Sequence, residues 1–267
     1  MSISIKGSFN TNFFYLLRNI SQSKAPFNST FDWDKNVNDV EYTDWWELYS
    51  SMSMSACYFP KVILVFYHGG PDGDGKIKAR WNDDTGGTGV IYSDICAYIK
   101  SINRDVVGAI IAPAFTQGPG VNTGIKFIKK KYNEGDEVII YGYSYGGDDA
   151  VNLAEAAEEL GIPVHTLIIV DSSDGPGRGI TVDTSIPSNV DIAYNFYQES
   201  YSGTSSGSKS GSGNLPGSRG YRHTSEGTAK VKNIKMIDSN ITHGNIQTIA
   251  KQNIETVIKQ RIDGYEY

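Results

Sequence analysis

The chain has 267 residues, of which 39% are hydrophobic and 20% charged, and its formal net charge at pH 7 is −6. These values describe a globular chain long enough to bury its own core, and they exclude wholesale disorder and fibrous repeats. The negative balance repels phosphate backbones and anionic membrane surfaces, so no nucleic-acid partner is expected.

Residues 1–60 are rich in Asn, Ser and aromatics without a sustained period, and they read as an N-terminal embellishment of the domain that follows. Within them Asp44 is placed to cap a short helix containing Trp45, Trp46 and Leu48. The apolar cluster at 13–17 is too short for a signal-peptide core or a membrane span. The expected location is therefore cytoplasmic, or outside the cell by a route that uses no such signal. Cys57 and Cys96 allow at most one bridge and read as free, buried thiols.

From Lys61 the pattern changes. Val62-Ile63-Leu64-Val65-Phe66-Tyr67 is a continuous apolar run, as a strand covered on both faces requires, and the turn His68-Gly69-Gly70-Pro71 follows at once. Asp72-Gly73-Asp74-Gly75 with Asp83 and Asp84 approaches a calcium loop, but Ile77 stands where that loop needs glycine and Asp83 where it needs glutamate. It reads as a polar loop, and no metal is expected. Gly86-Gly87-Thr88-Gly89 and Pro119-Gly120 lack the Lys-Ser/Thr pair of a phosphate-binding loop, so no nucleotide cofactor is expected either.

Further strand-like runs cover 106–112, 137–141 and 166–170, with a weaker alternating one over 231–237. The basic run Lys126, Lys129, Lys130 and Lys131 reads as the solvated end of a helix. Ala150, Leu153, Ala154, Ala157 and Leu160 predict one amphipathic helix, stopped by Gly161 and Pro163. Ile246, Ile249, Ala250, Ile254, Val257 and Ile258 predict another near the C-terminus. Between 201 and 220 the composition collapses to Gly and Ser, which predicts a flexible loop, either a lid or a tolerated insertion. Strands alternating with such helices predict an α/β core over 61–267, a mostly parallel central sheet with helices on both faces.

Gly142-Tyr143-Ser144-Tyr145-Gly146-Gly147 matches G-x-S-x-G, and so does Gly203-Thr204-Ser205-Ser206-Gly207 inside the Gly/Ser tract. Context separates them: Ser144 leaves an apolar strand and enters a helix expected to begin near Asp148, whereas Ser205 has neither flank. A serine hydroxyl needs a base within hydrogen-bond reach and an acid to orient that base. Of four histidines, His243 lies in a loop between the last strand and the last helix, on the sheet edge that carries Ser144. His68 ends the first core strand; His165 and His223 are expected in surface or structural roles. Asp171 directly follows the strand after the serine helix and is the first choice of acid, with Asp174 and Asp238 as alternatives. Oxyanion donors are expected from the amide of Tyr145 and from Gly69 or Gly70. A binding module on the same architecture would need none of these side chains.

These residues resemble an α/β-hydrolase of the lipase or esterase group, over roughly residues 61–260. The resemblance implies the α/β-hydrolase fold, a Ser144, Asp171 and His243 triad, an oxyanion hole at Tyr145 and Gly69 or Gly70, and hydrolysis of a small-molecule or lipid ester without a cofactor. Few strands precede Lys61, so the sheet is expected to be a reduced version of the usual eight. Tyr143 departs from the histidine common at that position in lipases, and an acid directly after this strand is similar to the pancreatic-lipase arrangement. Ile186-Pro187-Ser188-Asn189-Val190 with Ala193-Tyr194-Asn195-Phe196-Tyr197-Gln198 also resembles hydrolase domains attached to bacterial polymorphic toxins and lipase effectors, which implies a membrane-lipid substrate and an immunity-protein partner.

Overall fold

A computed structural model describes residues 60–70, 74–78, 87–173, 182–198, 220–238 and 240–264. The segment 1–59, most of the Asp72–Asp84 loop, Cys57, Asp174 and nearly all of the Gly/Ser tract, with Ser205, lie outside the described residues. In chain order the elements are β1 (Val62–Tyr67), β2 (Ile77–Lys78), α1 (Thr88–Ser101), β3 (Val106–Ile111), α2 (Pro119–Lys131), β4 (Glu137–Tyr143), α3 (Tyr145–Glu158), β5 (Thr166–Val170), β6 (Ser185–Ile186), β7 (Ile192–Tyr197), β8 (Thr224–Ser225), β9 (Lys230–Lys235) and α4 (Ile246–Ile262).

Seven strands form one sheet in the order β2-β3-β1-β4-β5-β7-β9. All of its pairings are parallel except the short antiparallel β2–β3 pair. The continuous apolar runs have a direct cause: β1, β5 and β7 are buried at every position, because both faces of the sheet are covered. Alternate residues such as Leu64, Phe66, Tyr141 and Ile168 meet the α1 and α4 layer through Ile91, Ile95, Ile254 and Ile258. Their neighbours Ile63, Val65, Ile140 and Leu167 meet the α2 and α3 layer through Ile128, Val151, Leu153 and Ala157.

The structure departs from the sequence pattern in identifiable ways. Helix α3 begins at Tyr145, not near Asp148, because the turn at Ser144 leads straight into it. It ends at Glu158, which leaves Leu160 out of the buried stripe, and Ile249 likewise points away from the core. Strand β7 and helix α1 did not stand out in the sequence, since Asn195 interrupts the first and Tyr92, Asp94 and Tyr98 blur the periodicity of the second. Asn195 is tolerated on this buried strand, next to the edge strand β9, because its amide donates to Tyr221 O at 2.7 Å and to Asn233 Oδ1 at 2.9 Å. Cys96 is a free thiol on α1, half-buried. Lys129, Lys130 and Lys131 occupy the last turn of α2, where cations complement the helix dipole.

His223 is not at the surface: it is 1% exposed, and the Asn233 amide holds both its backbone N–H and its carbonyl at 2.9 Å. Burial pushes its imidazole down to about 4, with the Asp183 carboxylate opposing part of that shift. The folded protein therefore keeps His223 neutral across a pH range in which the unfolded chain takes up a proton. Stability falls as pH drops from about 6.5 to about 4, by up to roughly 3 kcal/mol. Glu155 acts with the opposite sign, since burial and then Asp183 push it up to about 7. Its contribution is lost as pH rises from about 4.5 to about 7. The two windows overlap with opposite sign, so in urea titrations from pH 4 to 8 stability is expected to rise less steeply with pH between about 4 and 6.5 in His223→Gln and more steeply between about 4.5 and 7 in Glu155→Gln.

Candidate active site

The chain crosses from β3 on one side of β1 to β4 on the other, so the carboxyl ends of β1 and β4 border a crevice at the point where strand order reverses. Ser144 sits at the end of β4, between the strand and α3, with φ 57° and ψ −122°. Such backbone is strained for a residue with a Cβ, and surrounding contacts must hold it there. Ser144 N–H donates to Val170 O at 3.0 Å, and Ser144 O accepts the N–H groups of Gly147 at 2.8 Å and Ser173 at 3.0 Å.

The turn is tight enough to exclude side chains beside it. A Cβ at Gly142 would lie 1.9 Å from Gly146 O, and one at Gly146 would lie 2.4 Å from His68 O. Since both obstacles are backbone, Gly142→Ala must open the turn. The expected loss is roughly 3 kcal/mol of unfolding free energy. Gly244→Ala, where the nearest atom is Thr242 Oγ1 at 3.9 Å, is expected to unfold like the parent in the same urea titration.

His243 comes from the loop between β9 and α4. Its Nε2 lies 2.7 Å from Ser144 Oγ and its Nδ1 2.8 Å from Asp171 Oδ2. A carboxylate accepts only, so Nδ1 carries the proton and Nε2 is left to accept from the serine hydroxyl. Asp171 follows β5 with φ 44° and zero exposure, and its N–H donates to Phe196 O at 2.7 Å. Its Oδ2 also accepts the Gln198 amide at 3.2 Å, while its buried Oδ1 meets no hydrogen-bond partner among the described residues. Gln198, just after β7, belongs to the stretch 193–198 that resembles toxin-associated hydrolases, but nothing in the sequence marks it as a partner of the acid. Asp238 is otherwise engaged, accepting the N–H of Asn240 at 2.8 Å.

On the β1 side, Gly69 is buried beside the serine, and a Cβ there would lie 2.6 Å from Tyr143 Cδ1 and 3.3 Å from Ser144 Cβ. His68 Nδ1 donates to Gly69 O at 2.6 Å. In a trans peptide the carbonyl and the following N–H point opposite ways, so this bond also sets the direction of the Gly70 N–H. Tyr145 opens α3, so its amide belongs to the first turn, where N–H groups lack intrahelical acceptors. His165 lies at the other end of the sheet, accepting the Val138 N–H at 3.0 Å.

Two acidic residues on α3 serve the scaffold. A Cβ on Gly120 would lie 2.7 Å from Asp149 Oδ2, so the fully buried Asp149 carboxylate faces the amino end of α2 and complements its dipole. Asp148 accepts from the Gln117 amide at 3.4 Å and from Asp183 N–H at 3.2 Å, tying the loops after β3 and β5 to α3. Among the described residues no group of three or more His, Cys, Asp or Glu is arranged to hold a metal ion, and no helix is long and apolar enough to cross a membrane.

No protein-family model matches the chain, and no curated protein does. Among solved structures it is similar to a hyperthermophilic esterase from the archaeon Pyrobaculum calidifontis, at 12% identity and TM-score 0.40 over 76% of this chain and 78% of that one. It is also similar to Est1E from Butyrivibrio proteoclasticus, at 10% identity and TM-score 0.40 over 77% and 88% of the two chains. Human thioesterase 2 gives 9% identity and TM-score 0.38 over 78% and 99%. The fold follows from the topology itself: with a serine turn on the central strand and a parallel order β3-β1-β4-β5-β7-β9 between two helix layers, the chain has the α/β-hydrolase fold.

Proposed function

We propose that this chain is a serine hydrolase that cleaves a carboxylic ester through an acyl-enzyme on Ser144. The observation that carries the proposal is the line from Ser144 Oγ through His243 to Asp171, with contacts of 2.7 and 2.8 Å, set on strained backbone at the end of the central strand. Strain at a residue that also meets a base is difficult to account for by packing alone.

In this mechanism His243 Nε2 takes the Ser144 proton as Oγ bonds to the acyl carbon. Asp171, buried and within 2.8 Å, balances the charge on the imidazolium. The imidazolium then protonates the departing alkoxide, and a water activated in the same way releases the acid. The amides of Tyr145 and of Gly69 or Gly70 receive the developing oxyanion. The close approach of Gly69 to Ser144 and the His68 bond that directs the Gly70 N–H both support that role.

The test is covalent. A fluorophosphonate probe followed by peptide mass spectrometry is expected to place one phosphonyl group on the peptide containing Ser144, and short p-nitrophenyl esters are expected to turn over. A wild-type protein that resists the probe and hydrolyses none of these esters would overturn the proposal.

A further inference from the structure

Tyr143 stands next to Ser144 in the chain, yet its side chain reaches two other segments. Its ring stacks on the His243 imidazole, with centroids 5.1 Å apart and planes 26° from parallel. Its hydroxyl donates to the His243 carbonyl oxygen. The same ring closes over Gly69, where a Cβ would lie 2.6 Å from Cδ1 and 2.7 Å from Cε1. One half-buried side chain on β4 thus touches both the turn after β1 and the loop before α4.

The two contacts with His243 restrain different things. The hydroxyl bond fixes the backbone of the histidine, and so the point from which the imidazole starts. The ring fixes the plane of the imidazole, which must point Nε2 at Ser144 Oγ and Nδ1 at Asp171 Oδ2 simultaneously. For an imidazole 14% exposed and hung from a loop, hydrogen bonds at the two nitrogens do not by themselves restrain a tilt about the line joining them. A stacked aromatic face removes that freedom. Reacting groups displaced by even about 1 Å lose roughly two orders of magnitude in rate.

We propose that Tyr143 is a positioning residue that holds the His243 imidazole in the plane of proton transfer between Ser144 and Asp171, chiefly through its ring. The proposal rests on the serine-hydrolase reading above. The step it serves is the transfer of the Oγ proton to Nε2 as the Oγ–acyl bond forms and the carbonyl electron pair moves onto oxygen, followed by return of that proton to the leaving alkoxide. Tyr143 exchanges no proton in it.

The experiment compares wild type, Tyr143→Phe and Tyr143→Leu by p-nitrophenyl ester kinetics and by NMR of the His243 imidazole C–H groups. Tyr143→Leu is expected to lower kcat about 10- to 100-fold with KM nearly unchanged. It is also expected to abolish the ring-current shift at His243. Tyr143→Phe keeps the ring and loses one hydrogen bond, so it is expected to retain the ring-current shift and to stay within about 5-fold of wild-type kcat. Should Tyr143→Leu fail to fold, Tyr143→Met takes its place with the same expectations. A leucine or methionine variant with wild-type kcat overturns the proposal, as does a phenylalanine variant as slow as either. Wild-type protein without Ser144-dependent turnover instead defeats the hydrolase reading, and the NMR arm still reports whether Tyr143 fixes the ring.

Discussion

Alanine at Ser144 is expected to abolish fluorophosphonate labelling and to lower kcat on p-nitrophenyl esters by about 10⁶-fold, leaving only what the oxyanion donors and substrate binding supply. The same position carries a second, independent expectation about stability. At φ 57° and ψ −122° the cost lies in the Cβ rather than the hydroxyl, so Ser144→Ala keeps the strain and its melting temperature stays near that of the parent. Ser144→Gly removes the Cβ and loses some unfolded-chain restriction in exchange, for a net gain of about 1 kcal/mol in unfolding free energy. Steady-state rates and calorimetry on the two variants separate the contributions. Equal inactivity with unequal stability is the expected pattern, and a Ser144→Ala variant that hydrolyses esters at the wild-type rate would end the hydrolase reading.

Asp171→Asn is expected to cost between about 10² and 10⁴ in kcat, and the structure says why. Both the His243 Nδ1–H and the Gln198 amide donate to the same carboxylate oxygen, Oδ2, while Oδ1 is buried without a partner among the described residues. An asparagine that turns its amide oxygen toward His243 satisfies both donors and preserves the tautomer. It then leaves its NH₂ in the unpartnered Oδ1 position, where an unsatisfied donor costs roughly 1–3 kcal/mol. The alternative rotamer points NH₂ at two donors and is worse. The variant therefore keeps the imidazole in place while removing the charge that opposes the imidazolium, with a measurable fall in stability. Steady-state kinetics and urea unfolding on one preparation check both parts. A wild-type rate in Asp171→Asn would mean that the carboxylate only anchors the loop.

These positions are tightly constrained because two non-glycine residues adopt positive φ within the same crevice, Ser144 and Asp171, each at the carboxyl end of a parallel strand. Their backbones are linked through neighbouring strands: Ser144 N–H bonds Val170 O, and Asp171 N–H bonds Phe196 O. The ladder from β4 through β5 to β7 thus places the serine, the acid and Gln198 in adjacent strand ends. Register in a covered parallel sheet resists slipping, because a shift of one residue would turn every side chain to the other face.

Much of this architecture was legible without coordinates because its signals are local. A strand covered on both faces must be apolar throughout, which marked 62–67, 137–141 and 166–170. Ser144 and Ser205 share the same glycine spacing, and it was the apolar strand before Ser144 and the amphipathic helix after it that separated them. Strand ends and the loop before the last helix could be ordered along the chain, which is why Asp171 and His243 were selected. Strand β7 was lost to the same logic, since one buried Asn breaks the apolar run and its partners, Tyr221 and Asn233, lie 26 and 38 residues away.

By itself the sequence determined the alternation of strands and helices, the serine turn and the order of candidate residues, all of which depend on neighbours within a few positions. Tertiary structure alone decided which carboxylate meets His243, that Gln198 lies behind it, that His223 is buried, and that Tyr143 spans from the serine turn to the histidine loop. Those contacts join residues separated by 27 to 100 positions, and no local periodicity encodes a distance across strands. They arise where parallel strands bring their carboxyl ends to one edge, so that side chains far apart in sequence share a single crevice.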